Sequence, residues 1–225
     1  MNALSTLTHR YAAIQIKMWH IQFRMRQIYL NQHHINTNVP SDDRERIKAL
    51  APAMYSVVDM LVTMEHLEGI LGDILQTREL SEHLSRQERK ALKQKRDLAS
   101  RWKAVRNVFG GHIDISIVED TCARHGIFGT LLSNDLEADL AVYNCLVLEG
   151  AINRARQKSD LFGRDLNFKK NLPGELKIVT EKLNNDWNEL FSYFAPLMER
   201  IYEIGKEEKL AVTPSMDHVG LVKFD

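Results

Sequence analysis

The stretch from Leu84 to His112 reads LSRQERKALKQKRDLASRWKAVRNVFGGH. Its apolar residues Leu84, Ala91, Leu98, Trp102, Val105 and Phe109 are three, four or seven positions apart. That is the period of a helix with one buried stripe, and it excludes the alternation of a strand. Ser81 or Ser85 is placed to begin the helix, and Gly110-Gly111 to end it. Between Arg86 and Arg106 the cations are Arg86, Arg89, Lys90, Lys93, Lys95, Arg96, Arg101, Lys103 and Arg106, opposed only by Glu88 and Asp97. The whole chain is neutral, with 30 basic and 30 acidic residues, so this helix concentrates positive charge locally. A polyanion would feel that field even though the global balance argues against a generic nucleic-acid binder.

The same period extends outward in both directions. Ile14, Met18, Ile21, Met25 and Ile28 predict a first helix over about His9 to Asn31. Ser41-Asp42-Asp43 predicts an N-cap for a second helix reaching about Gln76, kinked or split at Pro52. Asp114 is placed to cap a short fourth helix ending at Gly126, with a strand at Ile113, Ile115 and Ile117 as the alternative. Ser133-Asn134-Asp135 opens a fifth helix through about Lys158, and Pro173 a sixth, bent at Pro196, to about Lys206. The expected fold is all-α: a single helical domain over 1–225, with six helices in a bundle core over about 9–207 and an irregular tail over 208–225. With 225 residues, 44% of them hydrophobic, the chain can bury such a core.

Helical arithmetic places the polar residues of the Leu84–His112 stretch. At about 100° per residue, Arg106 lies about 40° from Trp102, on the margin of the buried stripe, and Asn107 about 140° away, toward solvent or a second subunit. An arginine on that margin must be paired or line a cleft. His112 follows by six residues, about 240° of rotation, and reaches the side of Arg106 only if Gly110-Gly111 leaves helical geometry.

The run Arg106-Asn107, four further residues, then His112, at the end of a long helix in an all-helical chain, resembles the motif of HEPN domains. That motif is an arginine, usually followed by a polar residue, then a histidine after a short gap; the gap here is one residue longer than the commonest form. The resemblance covers about residues 41–158 as architecture and three residues as motif. It implies a metal-independent endoribonuclease without cofactor, with Arg106, Asn107 and His112 as catalytic residues. It also implies a homodimer that joins two motifs in one cleft, and a defence or toxin–antitoxin setting with an antitoxin or regulatory protein as partner. The chemistry is consistent: RNA carries its own nucleophile, a histidine moves the proton, and a guanidinium grips the phosphate. Arg89, Lys93, Arg96 and Lys103 are the expected RNA contacts. The alternative expectation is a non-catalytic interaction or scaffold protein with a basic docking helix, in which Arg106 pairs with a carboxylate and His112 caps the helix.

Other constellations read as structural. His33-His34 point apart on a helix, and neither Glu65-His66 nor Glu79 to His83 has the Glu-x-x-His spacing of a carboxylate-bridged metal pair, so no metal site is expected. Asp120, Cys122 and His125 crowd one short helix with no oxyanion site beside them, and Cys122 is expected in the core. Trp187, Phe191, Tyr193 and Phe194 read as core or dimer face. No glycine-rich nucleotide loop occurs. Two cysteines without a framework spacing, no signal peptide and no apolar run of about 20 residues lead to the expectation of a cytoplasmic protein with no membrane partner.

Overall fold

The structure is a computed structural model, and it describes residues 3–37, 42–111, 115–126 and 136–210. Its helices are α1 (Ala3–Thr37), α2 (Asp43–Gln76), α3 (Arg78–His83), α4 (Arg86–Ser100), α5 (Lys103–Arg106), α6 (Ile115–His125), α7 (Leu136–Ala155) and α8 (Phe168–Glu207), with a π turn over Asn107–Gly111. The all-α bundle is as expected, and Ile115 and Ile117 are helical. The caps proposed at Asp114 and at Ser133 to Asp135 lie outside the described residues, as does the tail from 211.

The central helix is α2. Its inward positions Met54, Met60, Leu61, Met64, Leu67, Ile70, Leu71 and Ile74 are each almost wholly removed from water. Burial of such a side chain contributes about 1.5–3 kcal/mol relative to leaving it exposed. Asp42 caps the helix by accepting from the Glu45 N–H at 3.1 Å, as its position predicts. The helix runs on across Pro52 rather than splitting there. α1 lies antiparallel to α2, tied by Lys17–Asp73 at 3.0 Å and Arg24–Asp59 at 3.5 Å. α4, α5 and α7 cover the rest of α2, and α8 closes the bundle against α1, α4 and α7.

The predicted third helix is divided. Thr77 breaks the chain after α2, and its hydroxyl bonds back to the Asp73 carbonyl at 2.8 Å. Ser85, not Ser81, then starts the long segment through a capping box: the Glu88 N–H donates to Ser85 Oγ at 3.2 Å, and the Ser85 N–H donates to Glu88 Oε2 at 2.7 Å. A turn at Arg101-Trp102 separates α4 from α5. Gly110-Gly111 does not break the helix; it winds on as the π turn while Val105 and Phe109 stay buried. Gly126, at φ 63°, is the expected residue that ends α6. Asn167 starts α8 earlier than expected, and the backbone kinks at Asn171, whose Oδ1 accepts from the Gly174 N–H, so Pro173 does sit in a first turn.

Cys145 is the buried cysteine, and Cys122 is partly exposed rather than in the core. Burial pushes the Cys145 thiol up to about 11. Native protein at pH 8 is therefore expected to react with a thiol reagent at one cysteine and denatured protein at two; two fast native thiols would contradict this placement of α7.

Candidate functional site

The Arg106 region is built on Trp102. That ring is 1% exposed, and its Nε1–H donates to Asp186 Oδ2 of α8 at 2.9 Å. Asp186 is itself buried and accepts from Lys182, while Phe162 meets the indole edge-on. The Trp102 carbonyl accepts from the Arg106 N–H at 2.9 Å, so the anchored tryptophan sets the turn that carries Arg106. Trp102→Phe removes the donor that the Arg101-Trp102 turn offers Asp186. A cost of about 1–3 kcal/mol is expected, measured by urea unfolding. A loss below about 0.5 kcal/mol would mean that this hydrogen bond does not hold the turn.

Arg106 sits at the margin of the stripe, as the helical arithmetic requires. Its Nη2 contacts Glu65 Oε2 of α2 at 2.5 Å, and its Nη1 donates to Asn107 Oδ1 at 3.1 Å. Its Nε is buried with no partner. The guanidinium is thus held at both ends with one N–H unused, which matters because an unsatisfied buried donor costs about 1–3 kcal/mol. Asn107 is exposed, as expected. His112 lies outside the described residues; the π turn is described through Gly111.

The basic face is divided into two rows. Glu68, one helical turn from Glu65, takes Lys103 at 3.2 Å and Arg96 at 3.7 Å. Lys95 reaches Glu189 of α8 at 2.6 Å, and Arg89 donates to the Ser81 carbonyl at 3.1 Å. Of the four expected RNA contacts, then, Arg96 and Lys103 converge on a carboxylate, Arg89 turns toward the end of α3, and Lys93 is exposed. Arg86, Lys90, Lys93 and Arg101 form an outer row with no acidic partner among the described residues. Arg86, Lys90 and Lys93 fall within about 60° of one another on α4, with Asp97 on the same side. Glu65 and Glu68 therefore meet cations, and among the described residues no three His, Cys, Asp or Glu side chains gather as a metal site would need. His66, beside Glu65, is held below the usual imidazole pKa by burial and by the Arg24 charge.

A second polar centre lies elsewhere and was not anticipated. Glu149 of α7 is fully buried, and both its oxygens lie 2.9–3.0 Å from His125 Nε2. It also accepts from the Phe168 N–H at 2.8 Å. Lys169 Nζ donates to the His125 carbonyl at 2.6 Å. His125 therefore serves Glu149 and not Cys122. Gly150 makes this possible, because a Cβ there would collide with the Thr121 hydroxyl and hold α6 away from α7. Beside the pair runs an open groove of about 490 Å³, lined by Asp120, Arg124, Asn153, Arg154, Arg156 and Asp165 among others. Its arginines have carboxylate neighbours: Arg124–Glu149 at 3.7 Å, Arg154–Asp120 at 3.7 Å and Arg156–Asp165 at 3.0 Å. A groove so internally paired attracts a polyanion less than the outer row of α4 does.

No protein-family model matches the chain, and neither a curated protein nor a solved structure matches it. Among the described residues no helix is long and apolar enough to cross a membrane.

Proposed function

We propose that this chain is a metal-independent endoribonuclease of HEPN type, acting through Arg106, Asn107 and His112. The observation that carries the reading is the state of Arg106: a guanidinium fixed by Glu65 and Asn107, with an unpaired Nε, at the head of a π turn that leads to His112. A π turn uses one residue more per turn than an α turn, and such bulges occur often at functional sites. A motif one residue longer than the commonest spacing calls for such an extra residue in the turn. In the reaction the 2′-hydroxyl attacks phosphorus as His112 takes its proton. Arg106 stabilises charge on the phosphoryl oxygens, the P–O5′ bond breaks, and the leaving 5′-oxygen takes a proton from solvent, to which the His112 imidazolium later gives up its own. The outer row of Arg86, Lys90, Lys93 and Arg101 supplies a track for flanking phosphates. An antitoxin or other regulatory protein is the partner this reading calls for.

The test is incubation of purified protein with single-stranded RNA in excess chelator. Fragments ending in a 2′,3′-cyclic phosphate are expected, and intact RNA across a panel of substrates would overturn the reading. The second reading is a non-catalytic interaction protein. The observation favouring it is an exposed apolar face on α1 that no other described helix covers.

A further inference from the structure

α1 carries two apolar faces. The inner face, Tyr11, Ile14, Met18, Ile21, Met25 and Ile28, is buried in the bundle. The outer face holds Ile16 at 64% exposure, Trp19 at 59%, Phe23 at 63% and Leu30 at 50%. With Ala12, these residues lie within about 60° of one another around the helix. The steps Ala12, Ile16, Trp19, Phe23, Arg26, Leu30 are four, three, four, three, four, the a/d seam of a helix that packs against another helix. α1 packs chiefly on α2 and α8, and neither covers this seam.

The charges on α1 indicate the occupant. Its cations are Arg10, Lys17, Arg24 and Arg26, and it has no acid. Arg10 donates to Thr77 Oγ1, Lys17 pairs with Asp73 and Arg24 with Asp59, all on the α2 side. Among the described residues the outer face therefore keeps one unengaged Lys or Arg, Arg26, among large apolar side chains. That is too little charge to select an anionic membrane or a strongly acidic partner. It does suit a second copy of the same face. The four large side chains expose on the order of 500 Å², taking roughly 150–250 Å² for an aromatic side chain. With the stems of His20, Arg26 and Gln27 the face approaches the roughly 800 Å² that each partner of a stable dimer contributes.

We infer that the chain forms a two-fold dimer through the outer face of α1, with the two α1 helices antiparallel. An antiparallel pair centred near residue 21 sets Trp19 against the partner's Phe23, Ala12 against the partner's Leu30, and Ile16 against the stem of the partner's Arg26. Large meets small at the ends and aromatic meets aromatic at the centre. The two Arg26 charges then sit about 15 Å apart along the axis, beyond the screening length of about 8 Å at physiological salt. A parallel pair would press them together. The inference rests on α1 alone and holds with or without RNA cleavage.

The test is sedimentation equilibrium on the full chain. Wild type is expected at about twice the 26.0 kDa chain mass. Phe23→Glu and Ile16→Lys, both on exposed positions, are expected to sediment as monomers with unchanged helical circular dichroism. Orientation is read by cross-linking under mild oxidation. Ala12→Cys protein mixed with Leu30→Cys protein should give a disulfide-linked dimer, while Ala12→Cys alone should give none. The inference is overturned by a wild-type chain that stays monomeric at 100 µM, whether bare, bound to phosphatidylserine vesicles, or covered by its own residues 211–225. A dimer that survives both substitutions, or one in which Ala12→Cys links to itself, overturns it equally.

Discussion

Alanine at His112, or at Arg106, is expected to reduce RNA cleavage by about a hundredfold or more, the range for losing a positioned proton-transfer or charge-stabilising group. The melting temperature should stay within a few degrees of wild type. The contrast is what makes the experiment decisive. Arg106 and Glu65 keep 25% and 29% of their side-chain surfaces in water. A pair so placed contributes at most about 1 kcal/mol to stability. Removing Arg106 also removes an orphaned Nε, a gain of the same order as the lost pair that offsets it. If Arg106 were only a surface tie, alanine there would change neither stability nor cleavage. Arg106→Lys sharpens the result, because an ammonium cannot hold Glu65 and Asn107 through one planar fork; cleavage should stay low despite the retained charge. Glu65→Gln tests positioning: KM for RNA should change little and kcat should fall, since the group it orients is still cationic. Equal cleavage by wild type, His112→Ala and Arg106→Ala would remove the nuclease reading.

The all-α fold was legible because apolar residues at three- and four-residue steps leave a long helix few alternatives. Gly126 ended its helix for the same local reason. The interruptions inside the Leu84–Gly111 stretch were not legible, because they depend on distant partners: Asp186, 84 positions away, anchors Trp102, and the burial of Phe109 keeps the backbone winding through two glycines. At the site, the margin position of Arg106 followed from rotation, but its partner Glu65 did not. Glu65 had been weighed with His66 as metal chemistry, and only the crossing of α2 and α5 turns it to Arg106. The same holds for the four cations expected to contact RNA. One cannot tell from a row of cations which will meet Glu68 and which will face water. The outer face of α1 could have been seen: Ile16, Trp19, Phe23 and Leu30 are an apolar seam opposite an apolar stripe. Glu149 also had a signal. It is the only charge in Leu146-Val147-Leu148-Glu149-Gly150-Ala151-Ile152, and a carboxylate so enclosed needs donors that sequence periodicity cannot supply.

That carboxylate gives the largest stability effect expected in the molecule. Glu149→Ala should cost about 3–5 kcal/mol, the range for breaking a buried charged pair by removing one partner, and should lower the melting temperature by roughly 10 °C. Three consequences act together. His125, 4% exposed, loses its only side-chain acceptor among the described residues; the Phe168 N–H is left unpaired at the start of α8; and the vacated volume cannot close, because Gly150 already brings α6 against α7. Glu149→Gln keeps the volume, but its amide oxygen can serve only part of what two carboxylate oxygens accept, so an intermediate loss is expected. The double-mutant cycle with His125→Ala isolates the interaction. Once Glu149 is gone, removing His125 relieves an unsatisfied buried group, so the double variant should be barely less stable than Glu149→Ala alone. Urea unfolding of the four proteins measures this directly. Strictly additive losses, or a Glu149→Ala cost below about 1 kcal/mol, would mean that His125 and Glu149 are neighbours without coupling, and that α6, α7 and the start of α8 are joined by apolar contact alone.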